Sequence, residues 1–139
     1  MDIIKSGGYK LSALDIEREI MSLPYVAEVM VVGVPDEEFG ERVAAAVCLK
    51  DAGDMEAPVP VEDVTIERLR RDLRARLAGY KMPTLLRIVE GELPKSGTGK
   101  VVKKVLGPQF FPPDYGTLGD VQAWSPPREQ QVSNLKAKL

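Results

Sequence analysis

Apolar and polar positions alternate through DIIKSGGYKLS, residues 2–12, on either side of Gly7 and Gly8, which predicts a short two-stranded ribbon with a glycine turn at the surface. Ser12 followed by Asp15 has the form of a capping box with Asp in place of Glu, and Leu11 and Ile16 occupy the positions of a hydrophobic staple. A helix from about Ala13 to Leu23 follows. Its apolar face carries Ile16, Ile20 and Leu23, with Glu17, Arg18 and Glu19 on or near the other side. Pro24 stops it. VAEVMVVGVPD then reads as a strand, the polar DEEFGE as a connection, and RVAAAVCLK as an antiparallel partner strand in which Cys48 is a small core residue. DAGDMEAPVPVED has the Asp, Gly and Pro content of a loop.

Beyond that loop, Ile66, Leu69, Leu73 and Leu77 form a helical stripe ending near Gly79. Arg68, Arg70, Arg71, Arg74 and Arg76 crowd the rest of this helix. Interleaved with Glu67 and Asp72, they read as a solvated face, the sharper alternative being a docking surface for phosphates or another domain. KMPTLLRIVE leads into a strand over Leu85, Leu86, Ile88 and Val89, and VVKKVL starts a short helix. From about residue 112, Pro and Gly break every period, which predicts a poorly ordered tail. The pattern is that of an α+β domain.

The chain has 139 residues, enough for one domain with a modest core and a tail but too few for a two-domain enzyme with an interdomain cleft. No apolar run approaches the roughly 18 residues of a membrane span. MDIIKSGGYK is too short and polar for a signal peptide, and the single cysteine forms no internal disulfide, so a reducing intracellular setting fits. A formal net charge of -2 gives no basic field for nucleic acid. With no histidine and one cysteine, histidine-activated nucleophiles and structural metal cages are excluded. Chemistry falls to lysines, carboxylates, hydroxyls and backbone groups.

ELPKSGTGK, residues 92–100, has the look of a phosphate-binding loop and fails the test for one. Such a loop needs Gly five positions before the Gly-Lys pair and Ser or Thr after it, so that amides wrap the phosphates and a hydroxyl holds magnesium. Pro94 and Val101 stand there instead. What remains is a rigid Pro94, the permissive run Lys95, Ser96, Gly97, Thr98 and Gly99, and Lys100 on a long stem, which makes a mobile point charge. On the residues alone, Lys100 is more simply an exposed turn lysine.

DIIKSGGYKLSALDIEREI, VMVVGVPDEEFGERVAAAV and LPKSGTGKVVKK, in this order and spacing, resemble the small C-terminal domain of acyl-CoA synthetases. These belong to the adenylate-forming superfamily, together with luciferases and the adenylation domains of peptide synthetases. The resemblance covers residues 2 to about 107, and GGYKLSALDIE is similar to the malonyl-CoA synthetase-like branch. It implies a three-stranded antiparallel sheet flanked by helices, plus a two-stranded ribbon. It also implies two domains of very different size: a large N-terminal domain binds ATP, Mg2+ and the acid, and the small domain rotates between the adenylate-forming and thioester-forming half-reactions.

On this resemblance Lys100 is presented to the acid and the α-phosphate during adenylation. Gly8 then lies beside the CoA pantetheine tunnel with Gly7, Tyr9 and Lys10 as neighbours, and Asp2 follows the hinge, whose position is Met1. Residues 1–111 would form the mobile domain, inactive alone, and residues 112–139 its extended tail. Because the chain starts at the hinge, an excised domain or truncated product is expected. A free-standing binding module, a luciferase and a peptide-synthetase adenylation domain are the alternatives. Ala137, Lys138 and Leu139 differ from the peroxisomal Ser-Lys-Leu address only in the first small residue, which favours a peroxisomal location over a cytoplasmic one.

Overall fold

The computed structural model describes residues 2–126. Strands β1 (Ile3–Ser6) and β2 (Tyr9–Ser12) pair antiparallel, with Ser6 opposite Tyr9. Between them Gly7 and Gly8 take φ of 58° and 86°, the left-handed pair that a two-residue turn needs to match the strand twist. Helix α1 (Ala13–Met21) starts where the pattern placed it, with the Asp15 amide donating to Ser12 Oγ at 3.2 Å. It ends two residues before Leu23, because the amide and hydroxyl of Ser22 both donate to the Glu19 carbonyl.

Strands β3 (Val26–Asp36) and β4 (Gly40–Leu49) form the predicted antiparallel pair, with Val31 opposite Ala45. Helix α2 (Ile66–Leu73) is capped by Thr65 and buries Ile66, Leu69 and Leu73. Strand β5 (Leu85–Ile88) then pairs with β4 in parallel, Ala44 opposite Leu85. The expectation of a purely antiparallel three-stranded sheet is corrected here. The connection from β4 to β5 passes through a helix, which returns the chain in its starting direction. The ribbon is not separate either, since Ser6 pairs with Gly40 and joins β1 to β4 in one sheet, six-stranded among the described residues. The α+β class stands.

Helix α3 (Lys103–Phe110) and strand β6 (Val121–Ala123) complete the described elements, and β6 pairs antiparallel with β5. Where the sequence pattern predicts a poorly ordered tail from about residue 112, residues 121–123 are thus paired into the sheet. Three residues of strand are too few to give a period, and backbone and side-chain bonds together hold this segment. The Trp124 amide donates to Thr84 O at 2.9 Å, Gln122 Oε1 accepts from the Ile66 amide at 2.9 Å, and the Arg70 guanidinium lies 3.5 Å over the Trp124 ring. Arg70 also donates to Pro83 O at 2.8 Å and, half-buried, departs from the solvated arginine face expected of α2. Burial and the neighbouring Arg74 charge lower its pKa. Ala137, Lys138 and Leu139 lie outside the described residues.

The sheet is buried on both faces, which explains a valine and alanine run with few polar positions. Ile4, Ile16, Ile20, Val31, Val47, Leu69 and Leu86 belong to one core under α1 and α2. Met30, Val32, Ala44, Ala46, Cys48, Leu106 and Phe110 form the other under α3. Cys48 is 1% exposed, and burial raises its thiol pKa, as befits a core residue. No helix among the described residues is long and apolar enough to cross a membrane.

Candidate functional site

The tip of the β1–β2 ribbon is fastened to the sheet at several points. The Gly7 amide donates to Phe39 O at 2.9 Å, and the Lys5 amide donates to Glu41 Oε1 at 2.8 Å. A Cβ on Gly33 would fall 2.6 Å from Glu41 Oε2, so the glycine leaves the space in which that carboxylate reaches the ribbon. Tyr9 stacks on Tyr80, from the turn Gly79–Lys81, with ring centroids 4.3 Å apart and planes 20° from parallel. Beside the tip opens a groove of about 430 Å³ lined by Gly7, Tyr9, Phe39, Arg42, Tyr80 and Trp124, among others. A Cβ on Gly8 would meet nothing within 4 Å, so the outer side of the turn faces open space. Lys10 is exposed.

Arg42 secures the floor of this groove. Its Nε donates to Thr84 Oγ1 at 3.0 Å and its Nη1 to Tyr115 OH at 3.1 Å. Its Nη2 donates to Thr84 O at 3.1 Å and Trp124 O at 3.3 Å. With its donors engaged inside the protein, Arg42 is a strut, and the segment it holds supplies the Trp124 wall. No feature of the sequence marked it, because its partners lie up to 82 residues away.

The Lys100 loop is built differently. Ser96 N donates to Lys100 O at 2.8 Å, Gly99 N to Ser96 O at 2.9 Å, and Lys100 N to Ser96 Oγ at 3.3 Å. Ser96 Oγ and Thr98 Oγ1 lie 3.0 Å apart, and Gly99 takes φ 81° to close the turn. These amides point into the loop and form no phosphate nest, which agrees with the failed loop pattern. The loop is closed by its own bonds, while Gly97 and the Lys100 side chain are exposed. Among the described residues none pairs with the Lys100 ammonium.

Two feet hold this loop to β3. Upstream, Lys95 Nζ meets Glu28 Oε2 at 2.8 Å and Leu93 O at 3.0 Å, while the Leu93 amide donates to Glu28 Oε1 at 3.3 Å. The bond to Glu28 raises the Lys95 pKa. Downstream, Lys103 Nζ binds the Asp2 carboxylate, Glu17 Oε2 at 2.7 Å and Val31 O at 3.0 Å. Glu17 Oε2 also accepts from the Val31 amide at 2.7 Å. Val31 lies on a strand whose described ladder is to β4, so both its outward groups are satisfied by side chains. The sequence pattern predicts Lys103 only as part of a helix start and Glu17 on or near the outer face of α1.

The structure thus gathers Gly7, Gly8 and Tyr9 at one place and Lys95 to Lys100 at another. None of the residues lining the groove comes from the Lys100 loop. Asp2 belongs with the loop's downstream foot. No group of three or more His, Cys, Asp or Glu among the described residues is arranged to hold a metal, so no residue here is assigned to Mg2+.

A family profile described as "AMP-binding enzyme C-terminal domain" matches residues 15–100. A CoA ligase of Gibberella moniliformis is 45% identical over 112 residues, covering 79% of this chain and 17% of that protein. The mitochondrial malonate–CoA ligase of Xenopus laevis is 41% identical over 112 residues, covering 81% of the chain and 18% of that protein. Among solved structures, apo MatB from Rhodopseudomonas palustris superposes with a TM-score of 0.66 at 32% identity, over 82% of this chain and 20% of that one. The chain spans less than a fifth of the length of these curated relatives.

Proposed function

The chain belongs to the AMP-binding enzyme C-terminal domain family, and from that premise we propose that it is the mobile small domain of an ATP-dependent acyl-CoA synthetase. Joined to a larger domain that holds ATP, Mg2+ and the acid, it takes part in two successive steps. In the first, a carboxylate oxygen of the acid attacks the α-phosphorus of ATP, forming acyl-adenylate as the bond to pyrophosphate breaks. Lys100 supplies positive charge where negative charge gathers on those oxygens. In the second, the CoA thiolate attacks the acyl carbon, the thioester forms and AMP departs. Here the Gly7–Gly8 turn faces the pantetheine, with Gly8 leaving the path of the thiol open.

One observation carries this reading. The Gly7–Gly8 turn and the Lys100 loop sit at separate places on one domain, with the outer face of Gly8 open and, among the described residues, no partner for the Lys100 ammonium. Each suits a partner that lies outside the described residues, and they suit it in turn. Malonate is the first acid to try, since relatives are named for it. The deciding experiment is ATP–pyrophosphate exchange by the domain joined to its larger partner, compared with thioester formation from preformed acyl-adenylate. Lys100→Ala is expected to lower the first by about 10²–10³-fold and to spare the second; equal loss of both overturns the assignment.

The peroxisomal reading of Ala137-Lys138-Leu139 rests on those residues alone, and several animal relatives are named as mitochondrial. A fluorescent protein carrying residues 112–139 decides it. Peroxisomal fluorescence that depends on Leu139 supports the address, and any other distribution removes it.

A further inference from the structure

Lys103, three residues beyond Lys100, ties the start of α3 to Asp2, the residue next to the proposed hinge. Its ammonium is held by two carboxylates, Asp2 and Glu17, and by the carbonyl of Val31. The three acceptors come from the first described residue, from α1 and from β3. The groups are largely shielded, with side-chain exposures of 24% for Lys103, 33% for Asp2 and 16% for Glu17. Asp2 is fixed a second time, because its carbonyl accepts from the Ala13 amide at 3.0 Å. Lys103 also opens α3, three residues after Lys100, so whatever holds its ammonium holds the downstream end of the loop.

We propose that Lys103 is a positioning residue for the adenylation step, tying the Lys100 loop to Asp2 so that the domain turns at the bond preceding Asp2 and carries Lys100 as part of one rigid body. The inference rests on the proposed function above. A rotation of a small domain delivers a side chain accurately only if the pivot is sharp and the loop is stiff relative to it. Without the Asp2–Lys103–Glu17 cluster, the chain between pivot and β1 loosens and the downstream foot of the loop lifts from Val31. Misplacement of a catalytic group by about 1 Å costs on the order of 10²-fold in rate. The ribbon tip does not depend on this cluster, since Phe39 O, Glu41 and Tyr80 hold it. The loss is therefore confined to one half-reaction, which a general loss of structure would not achieve.

The experiment compares Lys103→Met, Lys103→Arg and Asp2→Asn in the domain joined to its partner. Pyrophosphate exchange, thioester formation from preformed acyl-adenylate, and amide hydrogen exchange over residues 94–102 are measured in each. Lys103→Met is expected to lower pyrophosphate exchange by about 10- to 100-fold, to leave thioester formation within about threefold, and to speed hydrogen exchange in the loop. Lys103→Arg restores most of the first activity, because a guanidinium reaches the same carboxylates. Should Lys103→Met fail to fold, Asp2→Asn decides, since it keeps the Lys103–Glu17 pair and takes from the tie to the hinge the charge that gives it most of its strength. A selective fall in pyrophosphate exchange in Asp2→Asn supports the proposal. Unchanged exchange in both variants, or equal loss in both half-reactions, overturns it. If Lys100→Ala itself leaves pyrophosphate exchange intact, the assignment of the whole site falls; if only the Lys103 and Asp2 variants do so, the positioning role alone falls.

Discussion

The ribbon tip and the Lys100 loop carry the two halves of the proposed chemistry and are stabilised in opposite ways. At the tip the backbone itself is fixed: the Gly7 and Lys5 amides are bonded to the β3–β4 hairpin and Tyr9 is stacked, so Gly8 sits at a defined place on a rigid wall. At the loop the feet are fixed and the working group is free, with Lys100 exposed beyond Glu28 and Lys103. A tunnel wall needs accurate placement and no reach. A charge delivered to a developing oxyanion needs reach from an accurately placed base. The difference teaches that glycine serves two settings in one domain: at positions 7 and 8 it permits the turn of a fastened ribbon, and at position 99 it closes a loop that presents an exposed lysine.

The contrast breaks most sharply at its two working residues. Lys100→Ala is expected to lower pyrophosphate exchange by about 10²–10³-fold, read from the label exchanged into ATP, with thioester formation retained. Gly8→Leu is expected to do the reverse. Its Cβ meets nothing within the domain, so the protein folds at the cost of a left-handed residue, about 1–2 kcal/mol. Thioester formation then falls by obstruction, and if it proceeds at the parental rate the tip has no such role.

Much of this was legible in the sequence, and the boundary has a physical basis. Gly7, Gly8 and the Ser12 cap announced themselves because turns and caps are decided by residues next to each other. Lys100 is singled out through its motif, and its role is a proposal. Arg42, Lys103 and Glu41 were not, because each acts through partners that only the folded sheet brings near: Thr84, Asp2 and Lys5. The parallel pairing of β5 and the return of residues 121–123 escaped for the same reason. A four-residue or three-residue strand has too few positions to declare its partner.

Smaller changes sharpen the comparison. Gly33→Ala pushes the Glu41 carboxylate away and frees the Lys5 amide, which is expected to cost about 1–3 kcal/mol, as overpacking does. Thermal unfolding measures it, and thioester formation should fall more than pyrophosphate exchange. Tyr80→Ala removes the stack on Tyr9, worth about 0.5–1.5 kcal/mol. Its signature is a raised KM for CoA, with the acid and ATP constants unmoved. Glu28→Gln has the smallest effect, since it keeps an acceptor for Leu93 and weakens only the ion pair that holds Lys95 protonated above its ordinary range. Faster hydrogen exchange at Leu93, with thioester formation unchanged, is the expected result.

The chain has a single tryptophan, and it stands in the wall of the groove with a guanidinium 3.5 Å from its ring. That placement makes Trp124 an intrinsic optical reporter within this domain. Its emission is expected to respond to a ligand in that groove, with no dye or label attached. With the tryptophans of the proposed larger partner replaced by phenylalanine, stopped-flow fluorescence would time the proposed swing between half-reactions from a residue already in place.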